Sequence, residues 1–305
     1  MKTVYSIYEK ITEYTAVTVG KFDGMHKGHE LLAKNIKSKS AIGYKSLVLS
    51  FDVSPNITLG KKYFGQLITN EEKQSMLERE GIDIFLQCPF EKEIKELEPE
   101  KFIELLVDNF NMKYMTCGTD FRFGKKGRGD TTLLKVLADK YDFELEVIDK
   151  LQANDRDISS TYIKDEILKG NVAFANSLLG YKYSLWGVVV HGNHLGRQFG
   201  LPTINLLPPD NKLLPPNGVY ITEIYIDSRK YHGVTNIGTK PTVSGEKIIG
   251  VETHILDFDS DVYEKMVQVV FLEYIRPERK FENLDQLFNQ MNMDKELARN
   301  FFNQR

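Results

Sequence analysis

The sequence predicts two folded units of different class, an α/β unit followed by an all-β one. Three observations carry this. A length of 305 residues is more than one core usually holds and natural for two. Over the first 180 residues, short apolar runs alternate with helical patterns. After about residue 182 helical periodicity gives way to short apolar runs separated by Gly, Pro, Asn and Ser. The units are expected to span 1–182 and 183–305, with the junction between residues 180 and 186.

In the first unit "AVTVG" (16–20) reads as a buried strand and "HELLAKNIKSKS" as the helix after it. "SLVLSF" (46–51), "DIFLQC" (83–88) and "KYMTCG" (113–118) are further strand-like runs bounded by turn formers. "PEKFIELLVDNF" has Pro99 where a first helical turn tolerates it, then Phe102, Leu105, Leu106 and Phe110 on one face. Strands alternating with helices imply a Rossmann-like parallel sheet covered on both sides, with ligands beyond the carboxyl ends of its strands. In the second unit "LWGVVVHG", "GVYITEIYID", "KYHGVTNIG", "IIGVETHILDF" and "MVQVVFLEYI" are spaced as in an antiparallel β-barrel. A terminal α-helix follows, with Leu284, Leu287, Phe288 and Met291 on one face and Asn283 as its N-cap.

Composition narrows the partners. Apolar residues at 41% and charged residues at 27% are those of an ordinary globular protein. A net charge of −3 without a basic block argues against nucleic acid or an anionic membrane as partner. "MKTVYSIYEK" lacks an apolar core of signal-peptide length, and no run nears the roughly 18 residues that span a bilayer. Cys88 and Cys117 sit in strand-like stretches and suit buried thiols. A cytoplasmic protein acting on small molecules is expected, its oligomeric state left open.

"GKFDGMHKGHELL" (20–32) places His26 and His29 between glycines where a strand gives way to a helix. Three readings compete for Asp23, His26 and His29: a plain Gly-rich turn, a zinc site, and phosphate recognition. Zinc needs a third ligand, and the HExxH spacing is absent. For phosphate, Gly20, Gly24 and Gly28 let the backbone approach a ligand, and a helix starting near Lys27 points N–H groups and its positive dipole end at an anion. Attack on the α-phosphorus of a nucleotide needs aligned donors for the equatorial oxygens and no side-chain nucleophile. Two imidazoles on one helical turn meet that demand.

These residues resemble the HxGH signature of the nucleotidyltransferase superfamily, in the version carried by bacterial bifunctional riboflavin kinase/FAD synthetases. Later stretches resemble the same family in order: "GTDFRFGKKGRGD" (118–130), "ISSTYIKDEILKGNV" (158–172), "HGNHLGRQFGLPTINL" (191–206), "GVY" (218–220), "NIGTKPTV" (236–243) and "VETHILDF" (251–258). The resemblance covers nearly the whole chain. It implies adenylyl transfer from ATP to FMN, giving FAD and pyrophosphate, in the first unit, and phosphorylation of riboflavin to FMN in the second, with Mg²⁺ serving both.

It also implies site residues. His26 and His29 would be catalytic in the first unit, with Gly20, Phe22, Asp23, Gly24, Ser159, Ser160, Thr161 and Lys164 around the ATP. A single N-cap explains only one of the three hydroxyls at 159–161. Asp120, Phe121, Phe123 and Arg128 would contact flavin or adenine, while Lys125 and Lys126 attract phosphates; the alternative is a solvated turn over two core phenylalanines. In the second unit Gly192, Gly196, Arg197, Gly200, Pro202, Thr203 and Asn205 would bind ATP or flavin. Thr203 and Asn205 would be the Mg²⁺ ligands and Glu252 the general base.

The chain departs from the family pattern at four places. Lys164 replaces an arginine and loses its bidentate fork. Val53 and Ser54 stand where the family more often has Pro-His. Leu201 replaces Phe and Ile204 replaces Ala beside the proposed metal ligands. If Ile204 points into the pocket it competes with substrate; if it points into the barrel it is packing, and strand alternation alone leaves both open. Two alternatives therefore accompany the bifunctional reading: an FAD synthetase whose kinase-like barrel is inactive or only binds flavin, and a non-catalytic flavin-binding protein.

Overall fold

The structure is a computed structural model that describes residues 1–51, 65–191, 202–209, 211–241 and 247–304. It divides into two compact units, Met1–Ser160 and Thr161–Arg305. The division falls ahead of the expected 180–186 junction because two short helices, α6 (Ser160–Leu168) and α7 (Val172–Leu179), lie almost wholly on the barrel's side of it.

The first unit is built on β1 (Lys2–Val4), β2 (Thr15–Val19), β3 (Lys45–Phe51), β4 (Ile84–Cys88), β5 (Met112–Gly118) and β6 (Glu144–Ile148). They form a parallel sheet in the order β1-β4-β3-β2-β5-β6. Chain progress reverses at β2, with β3 on one side and β5 on the other, so the carboxyl ends of β2 and β5 form the switch point where such sheets bind ligands. Both faces are covered, which explains why the central strands read as continuous apolar runs rather than alternating ones. On one face α1 (Lys27–Ser38) and α2 (Asn70–Arg79) pack Ala33, Ile36 and Leu77 against Ala16, Val48, Phe85 and Tyr114. On the other, α4 (Pro99–Phe110) and α5 (Thr131–Tyr141), which follow the one-turn helix α3 (Lys92–Lys95), pack Phe102, Leu106, Leu134 and Leu137 against Val17, Leu49, Leu86 and Met115. Pro99 stands in the first turn of α4, and Asp130 caps α5 by accepting from Thr132 N and Leu133 N.

A two-stranded hairpin, β7 (Gln152–Ala153) and β8 (Arg156–Asp157), follows the sheet. The second unit closes β9 (Ser184–Val190), β10 (Thr203–Leu206), β11 (Gly218–Ile226), β12 (Arg229–Pro241), β13 (Lys247–Ile255) and β14 (Met266–Pro277) into an antiparallel barrel in the order β10-β13-β12-β11-β14-β9. The β9–β10 pairing, Leu206 opposite Val189, completes the closure and leaves no open sheet edge. Inside, the fully buried Thr222, Thr235 and Thr253 link their hydroxyls at 2.8 Å each, so the polar groups in the barrel interior satisfy one another. The terminal helix α8 (Leu284–Asn303) starts where the sequence predicts: Asn283 accepts from Gln286 N at 2.9 Å. Arg276 of β14 grips the buried Asp294 of α8 through both Nε and Nη2, a geometry that fixes the helix on the barrel wall.

Candidate functional site

Between β2 and α1 the chain makes a tight turn at the switch point. Phe22, Gly24 and Met25 all adopt positive φ there, at 48°, 88° and 38°. Two cross-braces hold the turn. The Asp23 carboxylate accepts from Leu67 N at 2.7 Å and Ile68 N at 3.4 Å, and the Ser160 hydroxyl donates to the Asp23 carbonyl at 2.7 Å. The turn delivers His26 to the N-cap position of α1, where its side chain makes no cap hydrogen bond. It is left to fold over the helix start and stack on His29, ring centroids 3.7 Å apart at 23°. Phe22, fully buried, lies against the His29 ring at 4.9 Å, tilted by 48°.

Gly28 gives this pair its room. A Cβ there would lie 3.3 Å from Cε1 and Nδ1 of His26, tighter than most carbon contacts. Burial holds both imidazoles neutral. His26 is only 6% exposed, and desolvation, opposed by Asp23, lowers it to about 4. His29 lies well below 6.5 through burial, then through repulsion by His26 and Lys73. The Nδ1 atoms of both are buried without a hydrogen-bond partner, a costly state unless a ligand completes it. The first-turn N–H groups of α1 face the same corner. Two neutral donors over a helix N-terminus are an anion cradle, and among the described residues no group of three or more His, Cys, Asp or Glu is placed to hold a metal ion.

The other residues expected in this unit divide. Ser160 is spent on the Asp23 carbonyl, so its hydroxyl shapes the turn. Ser159 is half-buried just before α6; Thr161 and Lys164, exposed and half-buried, lie in its first two turns. Phe22 is a core residue whose ring has no exposed face to offer a ligand. Phe123, 5% exposed, packs on Phe102 in the core with the half-buried Phe121 stacked over it at 5.4 Å, so only Phe121 keeps a face at the surface. The basic loop is neutralised by acids that sequence spacing did not bring near it. Lys125 pairs with Glu96 at 2.6 Å, Arg128 with Glu98, and Asp120 with Lys150 at 2.7 Å. Such surface pairs are weak, at about 0–1 kcal/mol, so an arriving phosphate would compete with Glu96 and Glu98 for Lys125 and Arg128 at little cost.

The barrel site centres on β10 and β13. Asn205 lies opposite Glu252, and Glu252 opposite Asn236, forming a polar row across β10, β13 and β12. The Thr203 hydroxyl donates to Glu252 Oε1 at 2.7 Å. His254 Nδ1 stands 2.9 Å from the Pro202 carbonyl. A cavity of 430 Å³ adjoins, with Pro202, Thr203, Ile255, Phe258, Asp261 and Tyr263 in its lining, a volume suited to a nucleotide or a flavin. Ile204 borders this cavity but is 9% exposed, lies opposite the buried Thr253, and shares its side of β10 with Leu206. Its bulk belongs to the barrel interior. Gly192, Gly196, Arg197, Gly200 and Leu201 lie outside the described residues, as do Val53 and Ser54.

Comparison with known proteins finds matches for both parts of the chain. A sequence model described as FAD synthetase matches residues 8–162, and one described as riboflavin kinase matches residues 179–302. A bifunctional riboflavin kinase/FMN adenylyltransferase of Listeria monocytogenes is 33% identical over 99% of this chain and 98% of its own. The protein of that description from Escherichia coli K12 is also 33% identical, over 99% and 97%. The chain belongs to the bifunctional riboflavin kinase/FMN adenylyltransferase family. The structural likeness is as complete. A Streptococcus pneumoniae crystal structure described as a macrolide-efflux protein is 32% identical, with a TM-score of 0.89 over 98% of this chain and 99% of that one. No helix among the described residues of this chain is long and apolar enough to cross a membrane.

One buried cation of the first unit is not visible in the sequence. Lys73 of α2 is 5% exposed and reaches under the histidine turn. A lysine in the helical stretch "TNEEKQSMLE" reads as a solvated charge. The one available signal is the capping box, in which Thr69 accepts from Glu72 N and Glu72 accepts from Thr69 N, and it locates the helix but not the lysine's burial.

Proposed function

We propose that the chain makes FAD in two steps, with the adenylyl-transfer chemistry assigned to 1–182 and the kinase chemistry to 183–305. In the first unit the phosphate of FMN attacks the α-phosphorus of ATP. A new P–O bond forms, the bond to the β-phosphate oxygen breaks, and pyrophosphate leaves. His26 and His29 donate hydrogen bonds to the phosphate oxygens as charge grows on them, and the α1 N-terminus holds the remaining anion charge. Asp23 and Ser160 fix the turn that aims the pair. Lys164 and the hydroxyls of Ser159 and Thr161 are assigned to the phosphates, and Phe121 to stacking on a flat ring. The observation that carries this reading is the stacked imidazole pair with buried, unsatisfied Nδ1 atoms at the sheet's switch point.

In the barrel Glu252 accepts the proton of the riboflavin ribityl hydroxyl as that oxygen attacks the γ-phosphorus of ATP and ADP leaves. Thr203 sets the Glu252 carboxylate by its 2.7 Å hydrogen bond. The donor set fits Mg²⁺: a hydroxyl, an amide oxygen and a carboxylate on two adjacent strands are hard oxygens of the kind that ion takes. Thr203 and Asn205 would hold it, and the ion supplies charge neutralisation for the transferred phosphoryl group. Packing of Ile204 into the barrel favours an active kinase over the blocked one. We assign the protein to the cytoplasm, where ATP is available and Cys88 and Cys117 remain free thiols.

The deciding assay is product analysis in two incubations. FMN with ATP should give FAD and pyrophosphate, and riboflavin with ATP should give FMN and then FAD. FAD from FMN without FMN from riboflavin would confine the chemistry to the first unit, and flavin binding without pyrophosphate release would defeat the enzymatic reading.

A further inference from the structure

Lys73 is a buried cation for which the two reactions above have no use. Its ammonium donates to Ser50 Oγ at 2.8 Å and to the Lys21 carbonyl at 3.0 Å, and Ser50 Oγ, fully buried at the end of β3, also donates to that carbonyl at 3.0 Å. Lys21 lies inside the turn that carries His26 and His29. The ammonium therefore fastens α2 to the underside of the anion cradle, while Asp23 fastens the same turn to Leu67 and Ile68 just ahead of α2. Placing a lysine there costs desolvation that a neutral donor would avoid.

We propose that Lys73 is a positioning residue for adenylyl transfer, a buried charge that braces the histidine turn and adds positive potential beneath the bound phosphates. It acts through Lys21 and His29 rather than by touching substrate, and it rests on the adenylyl-transfer reading of this site. The groups that bear on the histidine pair are Lys73 from α2, Asp23 from the turn and Lys150 from the segment after β6, with each imidazole bearing on the other. Burial first, then His26, and then Lys73 hold His29 below 6.5, so the charge of Lys73 adds to a neutrality that burial sets.

Two variants of the full chain separate charge from bracing. Lys73→Gln keeps a hydrogen-bond donor and removes the charge; Lys73→Arg keeps the charge and changes the shape. Proton NMR titration of His29 and pyrophosphate affinity by calorimetry at about pH 8, where free imidazoles are neutral, are the readouts. Lys73→Gln is expected to raise the His29 midpoint toward that of a free imidazole and to weaken pyrophosphate binding several-fold. Lys73→Arg should leave the midpoint in place. An unmoved midpoint in Lys73→Gln, or an equal rise in Lys73→Arg, overturns the inference. If Lys73→Gln does not fold, Lys73→Arg decides alone, and any rise in its His29 midpoint counts against the proposal. Failure of the wild-type chain to form FAD would defeat the functional reading while leaving the titration result standing.

Discussion

Gly28→Ala should make the protein slightly more stable and a poorer adenylyltransferase. The glycine sits in the first turn of α1 without positive φ, so alanine fits the backbone. Helix propensity then favours alanine by up to about 1 kcal/mol, and Gly→Ala also trims the unfolded ensemble. For a unit of this size, that gain raises the melting temperature by about 2–4 °C. The new methyl, however, would stand 3.3 Å from the His26 ring, which must move by a few tenths of an ångström, and the ring is stacked on His29 at 3.7 Å. Because a misplacement near 1 Å costs about a hundredfold in a preorganised site, a shift of this size should cost roughly tenfold in kcat/KM, or about 1.4 kcal/mol of transition-state stabilisation. Thermal melting and FAD formation from FMN and ATP, with riboflavin phosphorylation as the internal control, make the test. Unchanged FAD formation, or a fall in both reactions together with a lower melting temperature, would refute the argument that Gly28 exists to seat His26.

Three further outcomes are expected. His26→Ala and His29→Ala should each lower adenylyl transfer about a hundredfold while leaving riboflavin phosphorylation within about twofold, since each removes one donor from a preorganised anion site; comparable losses in both reactions would point to a folding defect. Acid should destabilise the first unit through His26: its folded-state value of about 4 lies below its unfolded 6.5, so the unfolded chain binds the extra proton and stability falls as pH drops through this window. The contribution grows to about 3 kcal/mol below the folded-state value and should vanish from the pH dependence of urea unfolding in His26→Ala. Ile204→Ala should cost about 2 kcal/mol of barrel stability while changing riboflavin phosphorylation less than about threefold; a large gain in kinase activity would show that the side chain obstructs the pocket.

The sheet, the barrel and the terminal helix were legible because each leaves a periodic trace. The central strands are apolar on both faces, and Pro99 and Asn283 mark helix starts that the structure keeps. What escaped was what has little period. β1 spans three residues, and β6 carries an edge strand's mixture of exposed and half-buried positions. The HxGH turn was legible as a candidate anion site because its histidines and glycines stand where a strand gives way to a helix, and the family resemblance chose among the three readings. The ion pairing of the loop at 118–130 was not legible, since its cations Lys125 and Arg128 are matched by Glu96 and Glu98 in a segment some 30 residues earlier, and only the folded chain shows that match. Lys73 was hidden for the same reason. Its burial is set by Ser50 and the Lys21 carbonyl, groups brought to it by the parallel order of β2 and β3.

As proposed, the two sites answer one chemical demand in different ways, and the difference follows from the nucleophile. The phosphate of FMN reaches ATP already ionised near neutral pH, so its attack requires no base. The first site accordingly presents donors. Its histidines are neutral with unsatisfied Nδ1 atoms, and the carboxylate of Asp23 is turned to Leu67 N and Ile68 N. The riboflavin hydroxyl carries a proton that must leave as its oxygen attacks, so the second site needs an acceptor at the reacting end. In the proposed reaction Glu252 would meet that need: it is half-buried and accepts a hydrogen bond from Thr203, which lines the 430 Å³ cavity. Exchanging the roles would fail at both ends. A carboxylate in the first cradle would repel FMN and ATP alike, and neutral donors in the barrel would leave the hydroxyl proton without a destination.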